Sequence, residues 1–182
     1  VIISPVRTAI QVKFDPENTM EIFGFEDLQI VDGKGRTWSS IENGTTASSV
    51  GDKPNVVIYY LQSNYFHEPK HLYLQFEKLM AMEKDEAYLL IDTDGMQILK
   101  QPKDARFSNL TMIDNYLSMD FRGEKNFIHY PFNGSFTDVN REDYYYSSWS
   151  GSPNGELTST LGVEMPDKHY RNPLKFPITG YP

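Results

Sequence analysis

The sequence contains no cysteine. This absence excludes a disulfide framework and any metal site built on thiolates. Long hydrophobic runs are also missing, and none approaches the roughly 20 apolar residues that a membrane-spanning helix needs. The chain begins with Val1 rather than methionine, so we expect it to be part of a longer protein. A signal peptide or membrane anchor would then lie in a segment outside this chain.

Basic residues are scarce relative to acidic ones. The 182 residues include 17 Lys and Arg against 25 Asp and Glu, which gives a formal net charge of −8. A field of that sign repels phosphate backbones and anionic lipid headgroups. We therefore expect no nucleic-acid partner, and membrane association only through a segment absent from this chain.

Aromatic residues are abundant, with 12 Tyr and 11 Phe. Such side chains favour the half-buried surface of a β-sheet. Apolar and polar residues also alternate with a period of two, as in Leu72–Phe76, where Leu72, Leu74 and Phe76 share one face. This pattern predicts strands along most of the chain, including one over Asn126–Tyr130.

Turn signals separate the predicted strands. They include the Asp-Gly pairs Asp32-Gly33 and Asp94-Gly95, and the Asn-Gly pair Asn133-Gly134. The best helical candidate is Phe76–Glu86, for which strand plus turn is the alternative. Short strands with turns every ~8–12 residues are typical of sandwiches and barrels, so the predicted fold class is all-β.

A boundary is predicted near Gln101–Asp104. Pro102 fits poorly in a central strand, and a new series of strands begins at Phe107. The sequence therefore predicts two β-sandwich modules in tandem, residues 1–102 and residues 103–182, since domains of about 100 residues are common.

The segment His67-Glu68-Pro69-Lys70-His71 matches the zinc-protease pattern H-E-x-x-H. That pattern works on a helix, which places both imidazoles on one face. Pro69 disfavours a helix there, and the following residues alternate as a strand. We expect a turn that enters a strand, and no metal site.

Other candidate motifs carry little chemistry. Asp92-Thr93-Asp94-Gly95 resembles the start of a calcium loop, but Lys103 occupies the position where that loop needs Glu. His129 and His169 stand alone. We predict no catalytic residues, no metal and no cofactor, and hence a protein that is not an enzyme.

The most informative segment is Asp143–Trp149, which contains Tyr144, Tyr145, Tyr146 and Trp149. In a strand, Tyr144 and Tyr146 share one face and Tyr145 lies on the other. Exposed aromatic rings could stack on sugars or anchor a protein partner, whereas buried ones would only be core. These four residues are the candidate binding site.

Several stretches resemble the extracytoplasmic region of an uncharacterised Gram-positive family of membrane-anchored proteins described as anti-sigma factors of the extracytoplasmic-function type. The resemblance covers mainly residues 2–102. It rests on Ile3–Ala9, Phe23–Leu28, Tyr60–Phe66 and Leu72–Phe76. It implies immunoglobulin-like modules outside the membrane, after a short cytoplasmic segment and one membrane span, and it implies no catalytic residues.

The resulting expectation is a non-enzymatic extracytoplasmic sensing or interaction region of a bacterial membrane-anchored regulator, and the resemblance implies that this regulator is an anti-sigma factor. Its partner would be an unknown protein or a cell-wall ligand. The alternative is a carbohydrate- or cell-wall-binding module that uses the aromatic strand Tyr144–Trp149.

Overall fold

The computed structural model describes residues 1–124 and 130–182. Two compact units divide the chain, Val1–Met80 and Ala81–Pro182. The described residues form strands and turns and contain no helix, which confirms the predicted all-β class. It follows that the described part has no helix long and apolar enough to cross a membrane.

Nine strands lie in the first half of the chain. They are β1 (Ile2–Ile3), β2 (Thr8–Lys13), β3 (Met20–Glu26), β4 (Gln29–Asp32), β5 (Thr37–Trp38), β6 (Ala47–Val50), β7 (Lys53–Leu61), β8 (Leu72–Gln75) and β9 (Lys78–Glu83). A four-stranded sheet has the order β1-β2-β7-β6, a three-stranded sheet has the order β5-β4-β8, and β3 pairs with β9. The helix considered for Phe76–Glu86 is therefore wrong: β9 occupies most of that segment.

The core of the first unit draws on both larger sheets. Ile10 of β2 and Leu61 of β7 come from the four-stranded sheet, and Ile30 of β4 and Trp38 of β5 come from the three-stranded one. All four side chains are buried. The alternation that places them inward is what a pleated strand requires, and two facing sheets are the arrangement of a β-sandwich.

The predicted turn after β4 is confirmed. The Asp32 carboxylate is buried and accepts hydrogen bonds from the backbone amides of Lys34 at 2.8 Å and Arg36 at 2.9 Å. The Arg36 guanidinium donates a third at 2.7 Å. Burial alone would raise the pKa of Asp32, but these hydrogen bonds outweigh it, so the pKa lies below its ordinary value.

Nine more strands follow among the residues that the structure describes. They are β10 (Tyr88–Asp92), β11 (Gln97–Lys100), β12 (Phe107–Ile113), β13 (Tyr116–Arg122), β14 (Ser135–Thr137), β15 (Asp143–Tyr145), β16 (Ser148–Pro153), β17 (Thr158–Glu164) and β18 (Leu174–Pro177). One sheet has the order β11-β10-β18-β14-β15 and the other has the order β12-β13-β17-β16. The strand predicted for residues 126–130 lies outside the described residues except at Tyr130.

The core of the second unit is rich in aromatic side chains. Phe136 and Phe176 of the five-stranded sheet stack with ring centroids 5.0 Å apart. Phe132 packs on Phe176 and also on Phe107 of β12, at 5.7 and 5.6 Å. The interior of this unit therefore joins residues of both sheets, which is again consistent with a β-sandwich.

The structure divides the chain earlier than the predicted boundary at residues 102 and 103. The division falls between Met80 and Ala81. The reason is β10, which pairs along its length with β18 near the end of the chain. The hairpin predicted at Asp94-Gly95 does form between β10 and β11, so that hairpin belongs to the second unit.

Candidate functional site

The candidate tyrosines alternate between core and solvent, as period-two alternation predicts. Tyr144 and Tyr146 are 6% and 8% exposed, whereas Tyr145 between them is 72% exposed. Tyr144 stacks on Phe136 at 5.2 Å, and its hydroxyl donates to Glu142 and to the carbonyl of His169 at 3.0 Å each. The two buried tyrosines are thus structural residues of the core.

The aromatic segment is not one strand. Tyr145 ends β15 in the five-stranded sheet, while Trp149 lies in β16 of the four-stranded sheet. The crossing occurs at Tyr146 and Ser147, whose backbone amides donate to Gly134 and Glu164 respectively. Tyr145 and Trp149 therefore do not form one strand face, although both are exposed.

Trp149 forms a different aromatic pair. Its ring stacks on Tyr130 with centroids 4.3 Å apart and an interplanar angle of 28°. Trp149 is 59% exposed despite this contact. Tyr130 is held in place by a hydrogen bond from its hydroxyl to the carbonyl of Gly162 at 3.3 Å. The stack leaves indole surface available on a supported ring.

A cleft of about 450 Å³ opens beside this stack. Trp149 pairs with Val163 and Gly151 pairs with Leu161, both of which are buried, so Trp149 and Gly151 project from the core side of β16. Because Gly151 has no side chain, nothing from the middle of this edge strand fills the space over Leu161. The cleft is lined by Phe121, Gly123, Glu124, Tyr130, Trp149, Gly151, Pro153, Gly155, Glu156, Leu157, Thr158, Ser159 and Leu161.

The walls of the cleft combine apolar and polar groups. Phe121 and Leu161 provide apolar surface, whereas Thr158 and Ser159 provide hydroxyls and Glu124 and Glu156 provide carboxylates. Small-molecule sites commonly measure about 300–1,000 Å³ and are mostly apolar with a few polar groups. The cleft fits this description in size and composition.

The Glu124 carboxylate is fixed by a cluster of side chains. It accepts a hydrogen bond at 3.0 Å from the Arg106 guanidinium, which also pairs with Asp104. Asp104 in turn accepts a hydrogen bond from the Tyr181 hydroxyl. Partial burial alone would raise the pKa of Asp104, but the hydrogen bonds from Tyr181 and Arg106 hold it below its ordinary value.

Tyr130 keeps its proton throughout the ordinary pH range. Burial raises the pKa of Tyr130 well above its ordinary value, and the nearby Tyr146 and Tyr116 raise it further. The protonated hydroxyl is therefore the donor in the hydrogen bond to the Gly162 carbonyl.

The His67–His71 segment is a loop with a bend at Lys70 that leads into β8, and it is not helical, as the position of Pro69 predicts. The His67 ring packs edge-on against Trp38 at 5.6 Å. His71 lines a second recess, together with Asp32 and Arg36. Within residues 1–124 and 130–182, no three His, Asp or Glu side chains are grouped closely enough to hold a metal ion. His129 lies outside the described residues.

Sequence reasoning missed two residues that make the cleft. Tyr130 was considered only as the end of a strand, and Gly151 carries no signal of its own. Their importance follows from tertiary contacts, because Tyr130 stacks on Trp149 and Gly151 pairs with Leu161. The alternation around Trp149 was the available signal, because it places Trp149 and Gly151 on one face of β16.

The comparisons with known proteins give one match. A family described as a family of unknown function, DUF5643, matches residues 1–113. No curated protein and no solved structure matches the chain. The matched range covers the whole first unit and extends to the end of β12, so all the residues that line the cleft lie beyond it. Since the match spans more than half of the 182 residues, the chain belongs to the DUF5643 family.

Proposed function

We propose that this chain is a non-enzymatic binding region of a membrane-anchored bacterial envelope protein, built from two tandem immunoglobulin-like β-sandwich modules. In this proposal the region lies outside the membrane, and its second unit binds a saccharide of the cell wall. Ligand occupancy would be the signal that the full-length protein senses. The sigma-factor role suggested by the resemblance depends on a segment outside this chain.

The observation that carries the proposal is the exposed Trp149 ring supported by Tyr130 on the wall of the cleft. An aromatic ring offers a large, rigid apolar face at low entropic cost. Sugars present apolar C–H surfaces on one side and hydroxyls at their edges. The Trp149 face would contact the C–H surfaces. The hydroxyls of Thr158 and Ser159 would donate hydrogen bonds to the sugar hydroxyls or accept them, and the carboxylates would accept them.

The negative charge of the cleft and of the whole chain restricts the class of ligand that can bind. Glu124 and Glu156 line the cleft, and the chain as a whole carries a net charge of −8. Anionic ligands such as phosphate polymers are repelled by such a field. A neutral or amino-bearing glycan is therefore the expected ligand.

Tryptophan fluorescence provides the test, because the sequence has only two tryptophans and Trp38 is buried. We expect titration with an N-acetylglucosamine oligomer to change the emission of Trp149. Trp149→Ala should weaken binding at least about tenfold, as for an aromatic residue at the centre of an interface. Binding by the variant can be followed by calorimetry.

Tyr145→Ala is the matched control. Tyr145 is also an exposed aromatic residue, but it lies in the other sheet and does not line the cleft. Its replacement should leave the affinity unchanged. An equal loss of affinity in both variants would favour the strand-face site predicted from the sequence. The absence of any binding at millimolar oligosaccharide would refute the proposal.

A further inference from the structure

Strand β8 forms an exposed apolar edge of the first unit. In the order β5-β4-β8 it is the outer strand, so among the described residues it has a strand neighbour on one side only. Leu72, Leu74 and Phe76 are 39%, 45% and 43% exposed. Leu74 pairs with Ile30, a core residue, and thus lies on the core side of the sheet. These side chains extend the apolar surface beyond the buried core and remain exposed at this edge.

The backbone of β8 is oriented for a further strand. The Asp32 amide donates to the Arg36 carbonyl on the side of β5. Backbone groups alternate in direction along a strand, so Val31 and Gln29 direct theirs toward β8, where they pair with Tyr73 and Gln75. The N–H and C=O groups of Leu72 and Leu74 consequently point away from β4, toward the free edge.

Other outer strands in the described sheets of three or more strands carry features that discourage pairing. β1, β5 and β15 have only two or three residues. β6, β11 and β12 lie in ladders interrupted by irregular register, and β16 contains Pro153. Between Leu72 and Phe76 there is neither charge, proline nor a register shift. Natural edges usually have such protection, and β8 lacks it.

We propose that β8 is a homodimer interface, in which the edge strands of two copies pair antiparallel about a two-fold axis at Leu74. The outward direction of the Leu74 backbone groups makes this a hydrogen-bonded pair. Leu72 then lies opposite Phe76 of the other copy, and six apolar side chains form one continuous strip. The interface is self-complementary, as two-fold symmetry requires.

Hydrogen-bonding complementarity specifies this register, because an imidazole N–H can donate to a carboxylate. With Leu74 on the axis, His71 of each copy lies opposite Glu77 of the other. A register with Tyr73 on the axis would instead place His71 opposite Gln75. Glu77 also lies beside Asp27, whose hydrogen bond and charge, together with Glu26, raise the pKa of Glu77. The His71 side chain of a second copy would offer an N–H donor to this pair of acidic groups.

Sedimentation velocity of the 182-residue chain over a concentration series tests the proposal. We expect a reversible monomer–dimer equilibrium. Leu74→Lys places two like charges on the axis and should raise the dissociation constant at least about tenfold. Leu99→Lys is the matched control, since Leu99 is 51% exposed on the edge strand β11 and should leave dimerisation unchanged. Circular dichroism checks that both variants fold.

Two further experiments examine the register. Because the chain has no cysteine, Leu74→Cys should form a disulfide across the axis, where paired Cα atoms lie about 5.5 Å apart; Leu99→Cys should not. His71→Glu and Glu77→Lys should each weaken the dimer, and the double variant should restore it.

A chain that stays monomeric up to about 1 mM would overturn the proposal. So would a dimer that Leu74→Lys leaves intact, or charge variants whose effects simply add.

Discussion

Replacing Tyr144 with alanine should destabilise the second unit strongly, whereas the same change at the neighbouring Tyr145 should not. Tyr144 is 6% exposed and contacts Phe136 at 5.2 Å and Tyr170 at 5.9 Å. Its hydroxyl bonds to Glu142 and to the carbonyl of His169 are lost as well. Tyr145 is 72% exposed, so its removal exposes no new apolar surface.

The magnitude follows from the area and the contacts removed. A buried tyrosine removes about 200 Å² from water, and at about 25 cal/mol per Å² this corresponds to about 5 kcal/mol as an upper value. Partial collapse of the cavity reduces it, and large-to-small aromatic substitutions in cores cost about 3–5 kcal/mol. For Tyr144→Ala we expect that range, whereas Tyr145→Ala should remain within about 0.5 kcal/mol.

Urea denaturation followed by circular dichroism measures both changes. The two variants replace adjacent tyrosines with alanine, so their amino-acid compositions are identical and their local β-propensities are closely matched. The slope of the unfolding transition should be preserved if both variants keep the fold. If Tyr145→Ala cost as much as Tyr144→Ala, the assignment of these residues to core and solvent would be refuted.

Two further predictions concern stability. Gly162→Ala should cost about 1 kcal/mol, because the added methyl group would displace the exposed Tyr116 ring and break its hydrogen bond to Ser150. Gly151→Ala should be neutral in the same urea titration, and equal costs of the two substitutions would contradict this prediction. The pKa of Asp104 is depressed in the folded state, so the ionised carboxylate stabilises the fold at pH values above the unfolded pKa of 3.8. This stabilisation is lost as the pH falls from 3.8 through the lower folded pKa. Tyr181→Phe removes one of the hydrogen bonds to Asp104, so the urea midpoint should fall less steeply as the pH is lowered. An unchanged pH dependence of the midpoint would count against the role of that hydrogen bond.

The local sequence was sufficient for features that depend on neighbours along the chain. Period-two alternation correctly separated Tyr145 from Tyr144 and Tyr146, because side chains in a strand alternate between faces whatever its partners are. The turns at Asp32-Gly33 and Asp94-Gly95 were equally predictable, since Asp and Gly supply the side-chain hydrogen bonds and backbone freedom that tight turns need. Pro69 likewise indicated that the H-E-x-x-H match is not helical.

Features that depend on strand pairing were decided only by the tertiary structure. The division at Met80 follows from the pairing of β10 with β18, a contact between residues more than 80 positions apart. The transfer of the chain between sheets at Tyr146 separates Tyr145 from Trp149 in the same way. No local pattern determines which strands pair, because the apolar face of one strand can pack against several others. The pairing that forms is the one that completes the buried core.

The candidate cleft depends both on the local sequence and on the tertiary structure. The aromatic character of Trp149 and its face on β16 follow from the sequence alone. Its stack on Tyr130 and the space above Gly151 arise only when β16 pairs with β17 at the edge of the sheet. The sequence thus determined which chemical groups are available, and the folded structure decided which of them share one surface, because proximity across a sheet is set by register rather than by position in the chain.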